Sequence, residues 1–380
     1  MFLINLYNQA GAGPKNISLN LISELKGLKG GNGKIFVIVP NIAEYKMLDS
    51  NETVSIIKLH RFNNILKTMI FRIYLDFVFI PKLVRTCKIQ SMLAFGNYLL
   101  SPVKIKKVVL LHHPYLFDDG LLNKLPLIKR WIELLKRFIF WLTLKNVDTV
   151  VVQSPFVFEQ FKNKWGGFKR NIEVIANPIS KNFSNQSKCD IESLIATRVE
   201  TLGAETVILY VSRFYPHKNH DFLIKLSSWL TYAGLRHKIM ITIDESLPGA
   251  ADYLQKITIQ KAAIFNLGEI SQQELQHYYL NSHLFIFPSE SETFGNPLVE
   301  AMSFGLPVIV PSLGYSRSAL GASGIYYDVN DVIDCVEKIE SLVHDTLHYR
   351  RKSCESYRQL DLYLASKNWA ENYMKLISHL

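Results

Sequence analysis

Cysteine is scarce in this chain: 380 residues hold four, Cys87, Cys189, Cys335 and Cys354. They show neither CxxC nor metal-like spacing, which argues against a disulfide framework or a cysteine-bound metal. A reducing compartment is expected, with each thiol a buried or half-buried small side chain. Long uncharged runs are also missing. The most apolar windows, Met69 to Ile80 and Phe138 to Leu144, are broken or bounded by Arg72, Asp76 and Lys145. None reaches the ~20 apolar residues of a membrane-spanning helix. The start, MFLINLYNQAGAG, has no basic leader and reads as a first strand, not a signal peptide. Internal repeats, low-complexity tracts and Asp-x-Asp pairs are absent. Only 20% of the residues are charged against 48% apolar, so a disordered chain is excluded and two buried cores are within reach. A soluble protein is expected.

The charge that is present is unevenly placed. Residues 1–180 hold 25 Lys and Arg against 11 Asp and Glu, whereas residues 181–380 hold 18 against 22. Such an asymmetry implies that the first half meets something anionic.

Apolar strand-like runs alternate with helical patterns, which argues for parallel sheets flanked by helices. Strands are expected near Phe2–Tyr7, Lys34–Val39, Ser91–Phe95, Val108–Leu111, Thr149–Val152 and Glu173–Ile175. The second half adds Val207–Ser212, Ile239–Ile243, Ala263–Leu267, Leu284–Phe287 and Val308–Val310. The polar stretch 179–205, and Ser180 to Lys188 above all, reads as a linker. It separates an α/β domain over 1–178 from another over 206–356. A last helix, about Tyr357 to His379, lies within 357–380.

The segment His283 to Pro311, HLFIFPSESETFGNPLVEAMSFGLPVIVP, carries the clearest chemistry. A short apolar strand leads into a polar turn, Asn296 is a suitable helix N-cap and Pro297 suits the first helical position. Leu298 to Phe304 then form a short helix that Gly305 stops, before a strand from Pro307. The free amides of a helix N-terminus attract phosphate. Glu292 before the helix and Glu300 within it cannot serve a phosphate and suit hydroxyls instead, and a carboxylate accepts from two neighbouring hydroxyls at once. Phosphate and hydroxyls together describe a nucleotide-sugar. Upstream, Val207–Ser212 is followed by Arg213 and Lys218, two cations on a strand-to-helix turn that can clamp a diphosphate, Arg as a fork and Lys as a point charge. With these and a helix N-terminus to stabilise a departing diphosphate, no Mg²⁺ is needed, so no metal or other cofactor is expected.

The string Pro288-Ser289, Glu292, Phe294-Gly295, Glu300-Ala301-Met302, Gly305, Pro307-Val308 resembles the paired-glutamate signature of retaining glycosyltransferases of the GT-B fold, family 4 (group 1) type. The resemblance implies two doubly wound Rossmann-like domains facing a cleft, the first for acceptor and the second for donor, with the last helix returning to the first domain. It assigns Arg213 and Lys218 to the leaving diphosphate, Glu300 to the ribose hydroxyls and Glu292 to the donor sugar. The amides around Phe294, Gly295, Asn296, Pro297 and Leu298 face sugar and phosphate, and backbone near Gly268 meets the base. Front-face attack, in which the leaving phosphate takes the acceptor proton, is favoured over Glu292 as a covalent nucleophile.

In the first domain, Gly11 and Gly13 follow the first strand and let backbone approach a ligand, or simply make a tight turn. Asn97 is another polar strand end. The strand Val108–Leu111 ends in His112-His113. The family often has a histidine at this position that contacts donor sugar or acceptor, and His112 is preferred, with His113 its competitor. One departure concerns Ser318, which stands where the family usually has a glutamate opening a helix. Ser318 can cap that helix, while any donor contact from the acid is lost.

Leu125 to Leu144 forms a helical pattern with Lys129, Arg130, Glu133, Lys136 and Arg137 on one face and Leu127, Trp131, Leu134, Leu135, Phe138 and Trp141 over much of the rest. Two readings stand side by side: a membrane-surface helix, or a core-packed helix with a solvated basic face. No nucleic-acid motif accompanies the charge. The expected function is transfer of a hexose from a UDP- or GDP-sugar to an envelope polysaccharide, such as a lipopolysaccharide O-antigen, or to its lipid-linked precursor. The enzyme would be cytoplasmic and peripheral at an anionic membrane's inner face. A non-catalytic nucleotide-sugar binder or scaffold of a membrane glycan-synthesis complex is the alternative.

Overall fold

Runs of Val, Ile and Leu that are buried on both sides form strands which helices must cover on each face, and that is the signature of parallel sheets. The computed structural model describes residues 1–27, 33–179, 183, 187–363 and 366–378. The chain divides into two compact units, Met1–Pro178 with Leu364–Leu380, and Ile179–Tyr363.

The first unit contains β1 (Phe2–Asn5), β2 (Ile35–Pro40), β3 (Val54–Leu59), β4 (Ser91–Phe95), β5 (Lys106–Leu110), β6 (Thr149–Val152) and β7 (Asn171–Val174). They make one sheet in the order β3-β2-β1-β4-β5-β6-β7, with every pair parallel. One face packs on Leu21, Ile22 and Leu25 of the helix Ala12–Gly27 and on Trp369, Tyr373 and Ile377 of the helix Ser366–Ser378. The last helix is further held where Ser91 Oγ donates to the Ile377 carbonyl at 2.6 Å. The other face packs on Leu75, Ile80 and Val84, and on Phe140 and Leu144.

The second unit contains β8 (Thr206–Tyr210), β9 (His237–Ile241), β10 (Ile264–Asn266), β11 (Leu284–Ile286), β12 (Val308–Pro311) and β13 (Ile325–Tyr327). Their order is β10-β9-β8-β11-β12-β13, again parallel. Strand order reverses between β8 and β11, and ligands of open α/β sheets bind beyond the carboxyl ends at such a switch point.

Several expectations are corrected. Strands β3 and β13 were not foreseen; both lie at sheet edges, and β3 is mostly half-buried whereas β13 has three residues. Within 179–205, Lys188–Thr201 is a helix of the second unit, not a linker: Arg198 donates to the carbonyls of Phe304 and Tyr279. Of the segment 180–188, only Phe183, Ser187 and Lys188 lie among the described residues. The expected single helix from Tyr357 is two helices, Thr346–Gln359 and Ser366–Ser378, and His379 and Leu380 fall outside the described residues.

Candidate donor site

β8 and β11 end side by side, and the turns that leave them are fastened together. Glu290 N donates to the His217 carbonyl at 2.8 Å, Ser289 Oγ reaches the same carbonyl at 3.2 Å, and Tyr210 Oη donates to the Lys218 carbonyl at 2.7 Å. Tyr315 Oη holds the Ser289 carbonyl at 2.6 Å. These bonds bring Lys218 Nζ onto Glu292 Oε1, which also accepts from Ser289 Oγ at 2.7 Å. Lys218 Nζ sits 5.1 Å from the centroid of the Phe287 ring, a favourable position for a cation.

Glu292 lies at the amino end of the helix Asn296–Ser303, and its Cγ is 4.0 Å from the place a Cβ on Gly295 would occupy. The cap of this helix differs from the expected one. Gly295, at φ 84° and ψ 60°, is the N-cap, Asn296 is the first helical residue and Pro297 the second. That left-handed backbone favours glycine, and an added Cβ would meet Leu298 Cδ1 at 2.9 Å. Phe294 and Leu298 are buried, Phe294 against the Tyr363 ring at 5.7 Å. The first-turn amides therefore stand on a rigid base.

Glu300 is one turn into this helix. Its side chain is half-buried, and burial pushes its pKa up to about 7 although the Tyr279 hydroxyl, donating to Oε2 at 2.9 Å, pulls the other way. Arg213 does not join the Lys218–Glu292 pair. Its Nη2 stands 3.8 Å from both Asp244 Oδ2 and Glu269 Oε1, beyond β9 and β10. Next to Glu269, Gly268 has φ 74° and open space where a Cβ would go. Asn219 does not cap the next helix: it is left-handed at φ 53°, its amide donates to Asn330 Oδ1, and His220 is the N-cap of Asp221–Tyr232. Ser318 likewise lies inside the helix Gly314–Leu320. The Leu313 amide donates to Ser316 Oγ, while the Ser318 hydroxyl is buried without a hydrogen-bond partner among the described residues.

In the first unit, Gly11 precedes the helix Ala12–Gly27 and its carbonyl accepts from Lys15 N. Gly13 faces open space. Asn97, expected to be available for a ligand, is a bracket between strands. It is buried and left-handed at φ 70°, its amide donates to the Leu110 carbonyl, and its Oδ1 accepts from His112 N at 2.8 Å. The two histidines differ. His113 Nε2 is 2.8 Å from Glu133 Oε2, whereas the His112 ring has no hydrogen-bond partner among the described residues. Burial and the neighbouring His113 lower the His112 pKa to about 4, so it is neutral at pH 7.

The sequence reading missed the supporting residues. Ser289 was visible only as part of a string, and nothing local marks Tyr279, Asp244 or Glu269 as partners of Glu300 and Arg213. Among the described residues no cluster of three or more His, Cys, Asp or Glu side chains could hold a metal ion.

A doubly wound sheet in each unit and a helix N-terminus flanked by paired acid and cation define the class: the chain has the GT-B glycosyltransferase fold. Residues 197–360 match the family Glycosyl transferases group 1. Among curated proteins, the chain is 24% identical over 259 residues to the O-antigen chain mannosyltransferase RfbU of Salmonella typhimurium, covering 64% of each chain. It spans between 17% and 61% of four other curated relatives. Among solved structures, sucrose-phosphate synthase of Thermosynechococcus elongatus superposes with a TM-score of 0.76 at 14% identity, over 99% of this chain and 97% of that one. Anabaena HepE, solved in complex with UDP and glucose, has a TM-score of 0.70 at 15% identity over 100% and 99%.

Proposed function

We propose that this chain is a retaining hexosyltransferase. It would move a hexose from a UDP- or GDP-sugar to a cell-envelope polysaccharide, such as an O-antigen, or to its lipid-linked precursor, without a metal ion. The observation that carries this reading is the Lys218–Glu292 pair at the amino end of the Gly295-capped helix, on the switch point of the second sheet and inside the group 1 match. Similarity to RfbU supports an O-antigen acceptor, and the likeness to HepE supports a nucleotide-sugar donor.

In this reading Arg213 and Lys218 bind the diphosphate, helped by the amides from Phe294 to Leu298. The charge on the departing phosphate then meets fixed donors in place of a metal ion. Glu292 accepts from hydroxyls of the donor sugar, Glu300 from those of the ribose, and backbone at Gly268 meets the base. The bond from the anomeric carbon to the diphosphate oxygen breaks. The acceptor hydroxyl attacks the same face, and its proton passes to the leaving phosphate, so configuration is retained. His112, neutral and with an unoccupied ring, contacts sugar or acceptor in the first unit, where acceptor binding also falls. Gly11 and Gly13 line its approach. The enzyme works from the cytoplasm, attached peripherally to the inner face of the membrane.

The test is a panel of UDP- and GDP-sugars in the presence of EDTA, with wild type and Glu300→Ala. A donor that binds wild type, is transferred or slowly hydrolysed, and is lost by the variant is the expected result. Binding without turnover under any acceptor would favour a non-catalytic role, and no binding by any donor overturns the proposal.

A further inference from the structure

The helix Leu127–Asn146 is turned the opposite way from an ordinary surface helix. Its buried residues include Glu133 and Arg137. Glu133 is engaged by His113 and Lys136, and Arg137 by Asp119 and the Tyr115 and Asp118 carbonyls. The face expected to be solvated is thus in large part the inner one. Outward, Ile128, Trp131, Leu135 and Phe138 follow one another at helical spacing, with Ile128 78% and Trp131 71% exposed.

A second helical stretch does the same. Ile65–Tyr74 continues through a π-helical turn, Leu75–Phe79, into Ile80–Thr86. Its inner side buries Leu75, Asp76, Ile80 and Val84, while Leu66, Ile70, Ile73 and Phe77 face outward. Both stretches pack on the same face of the first sheet. Each crosses between parallel strands, so both run from the carboxyl toward the amino edge. At that edge lies an open hollow of about 1010 Å³, lined by Ile89 and Gln90 beyond the first stretch and by Lys145 and Asn146 at the end of the second. Lys104, Lys106, Lys107, Lys145 and Arg170 surround it, with Asp148 the sole acid of the lining. Lys145 Nζ sits 3.5 Å from the Trp141 ring centroid, linking the apolar face to the hollow.

We infer that this side of the first unit docks on an anionic bilayer, the outward faces of the two helical stretches entering the acyl boundary and the hollow at their ends taking lipid phosphates. The inference deepens the peripheral attachment proposed above and rests on that part of it. Two apolar faces exposed on the same side of the first unit and rimmed by polar groups mark an interaction surface. Charge decides the occupant. The helix Leu127–Asn146 adds Lys129, Arg130, Lys136 and Lys145, while its one acid, Glu133, is buried; the other stretch adds Lys67, Lys82 and Arg85, and its one acid, Asp76, is buried too. A second copy of this chain would bring like charges together, whereas acidic headgroups complement them. The surface lies on the membrane and does not cross it, since no described helix is long and apolar enough to span one.

Flotation of the full chain with vesicles of phosphatidylcholine, alone or mixed with phosphatidylglycerol, tests this without any donor present. Wild type is expected to float with the mixed vesicles, to be released by salt in part, and to show a blue-shifted tryptophan emission when bound. The double variant Ile128→Asp with Trp131→Asp should bind at least tenfold more weakly. Lys104→Glu with Lys145→Glu should lose the preference for phosphatidylglycerol. Unchanged melting and nucleotide-sugar binding by both variants would show that they are folded and that the donor site is separate. Wild type remaining in solution with both vesicle types overturns the proposal, as do folded variants that float like wild type. A wild-type dimer that the Ile128→Asp, Trp131→Asp variant converts to monomer, with no vesicle binding, would assign the face to a second copy instead.

Discussion

Lys218 and Glu292 neutralise each other in the free protein. Nζ bonds to Oε1, and the two side chains are only 13% and 12% exposed. The cation proposed for the diphosphate is therefore held by the acid proposed for the sugar, and the acid competes with a diphosphate for the ammonium.

Removing the acid should free the cation. Glu292→Gln is expected to bind UDP or GDP more tightly by roughly fivefold, about 1 kcal/mol, the upper range for a partly exposed pair, while losing most transfer activity. Lys218→Met removes charge-assisted bonds worth ~1.5–3 kcal/mol and should weaken the same nucleotides by at least tenfold. Calorimetric titration of both variants with nucleoside diphosphate, beside an assay of turnover, separates the two effects.

Glu300 ties stability to pH. Its folded pKa, about 7, lies above the ordinary 4.5, so the neutral form is favoured in the folded protein. The stabilising contribution is complete below the unfolded value and is lost as pH rises through about 7, a change of at most ~3 kcal/mol. Urea denaturation should show wild type weakening between about pH 4.5 and about pH 7.5, with Glu300→Gln flatter over that range. Donor binding should run the other way, since the ionised carboxylate is the better acceptor for ribose hydroxyls.

The adjacent histidines should separate cleanly. His113→Ala leaves the buried Glu133 with Lys136 alone and should cost ~1–3 kcal/mol of stability, read as a lower melting temperature. His112→Ala should melt like wild type yet lose turnover, with little change in nucleotide affinity.

The central strands were legible because their signal is local and strong: β4 and β6 are buried along their whole length and read as unbroken apolar runs. Two of the four edge strands, β3 and β13, were not, since β3 has one fully buried position and β13 has three residues. The chemistry of Glu292 and Glu300 was legible as residue type and spacing. Their partners were not, because Tyr279 and Lys218 come from other crossovers of the sheet and meet the acids only after folding. Caps failed for a similar reason. Asn at positions 219 and 296 suits an N-cap, but a left-handed glycine already filled the role at 295, and residue 219 was itself left-handed. The Trp131 helix stayed open between two readings, for its periodicity identifies two faces but not which one turns inward.

Gly295 offers a sharp test of the helix N-terminus. Gly295→Ala must hold a Cβ in left-handed backbone, costing ~1–2 kcal/mol, and push Leu298 aside as well. Both donor affinity and melting temperature should fall, because the strain falls on the amides that would bind as well as on the packing of Leu298. A variant that binds donor like wild type would remove that helix end from the site.

The helix Ser366–Ser378 brings Trp369 and Tyr373, both fully buried, into the core of a sheet whose strands all precede residue 175. The first unit is therefore completed only after the second has been synthesised. Until synthesis passes residue 378, that face of the first sheet has the helix Ala12–Gly27 but lacks the rest of its cover, and the second unit has time to fold in between. Closure of that long loop, not strand pairing, becomes the step most exposed to aggregation. A break after Tyr363 would thus damage the first unit more than the second, which directly precedes it.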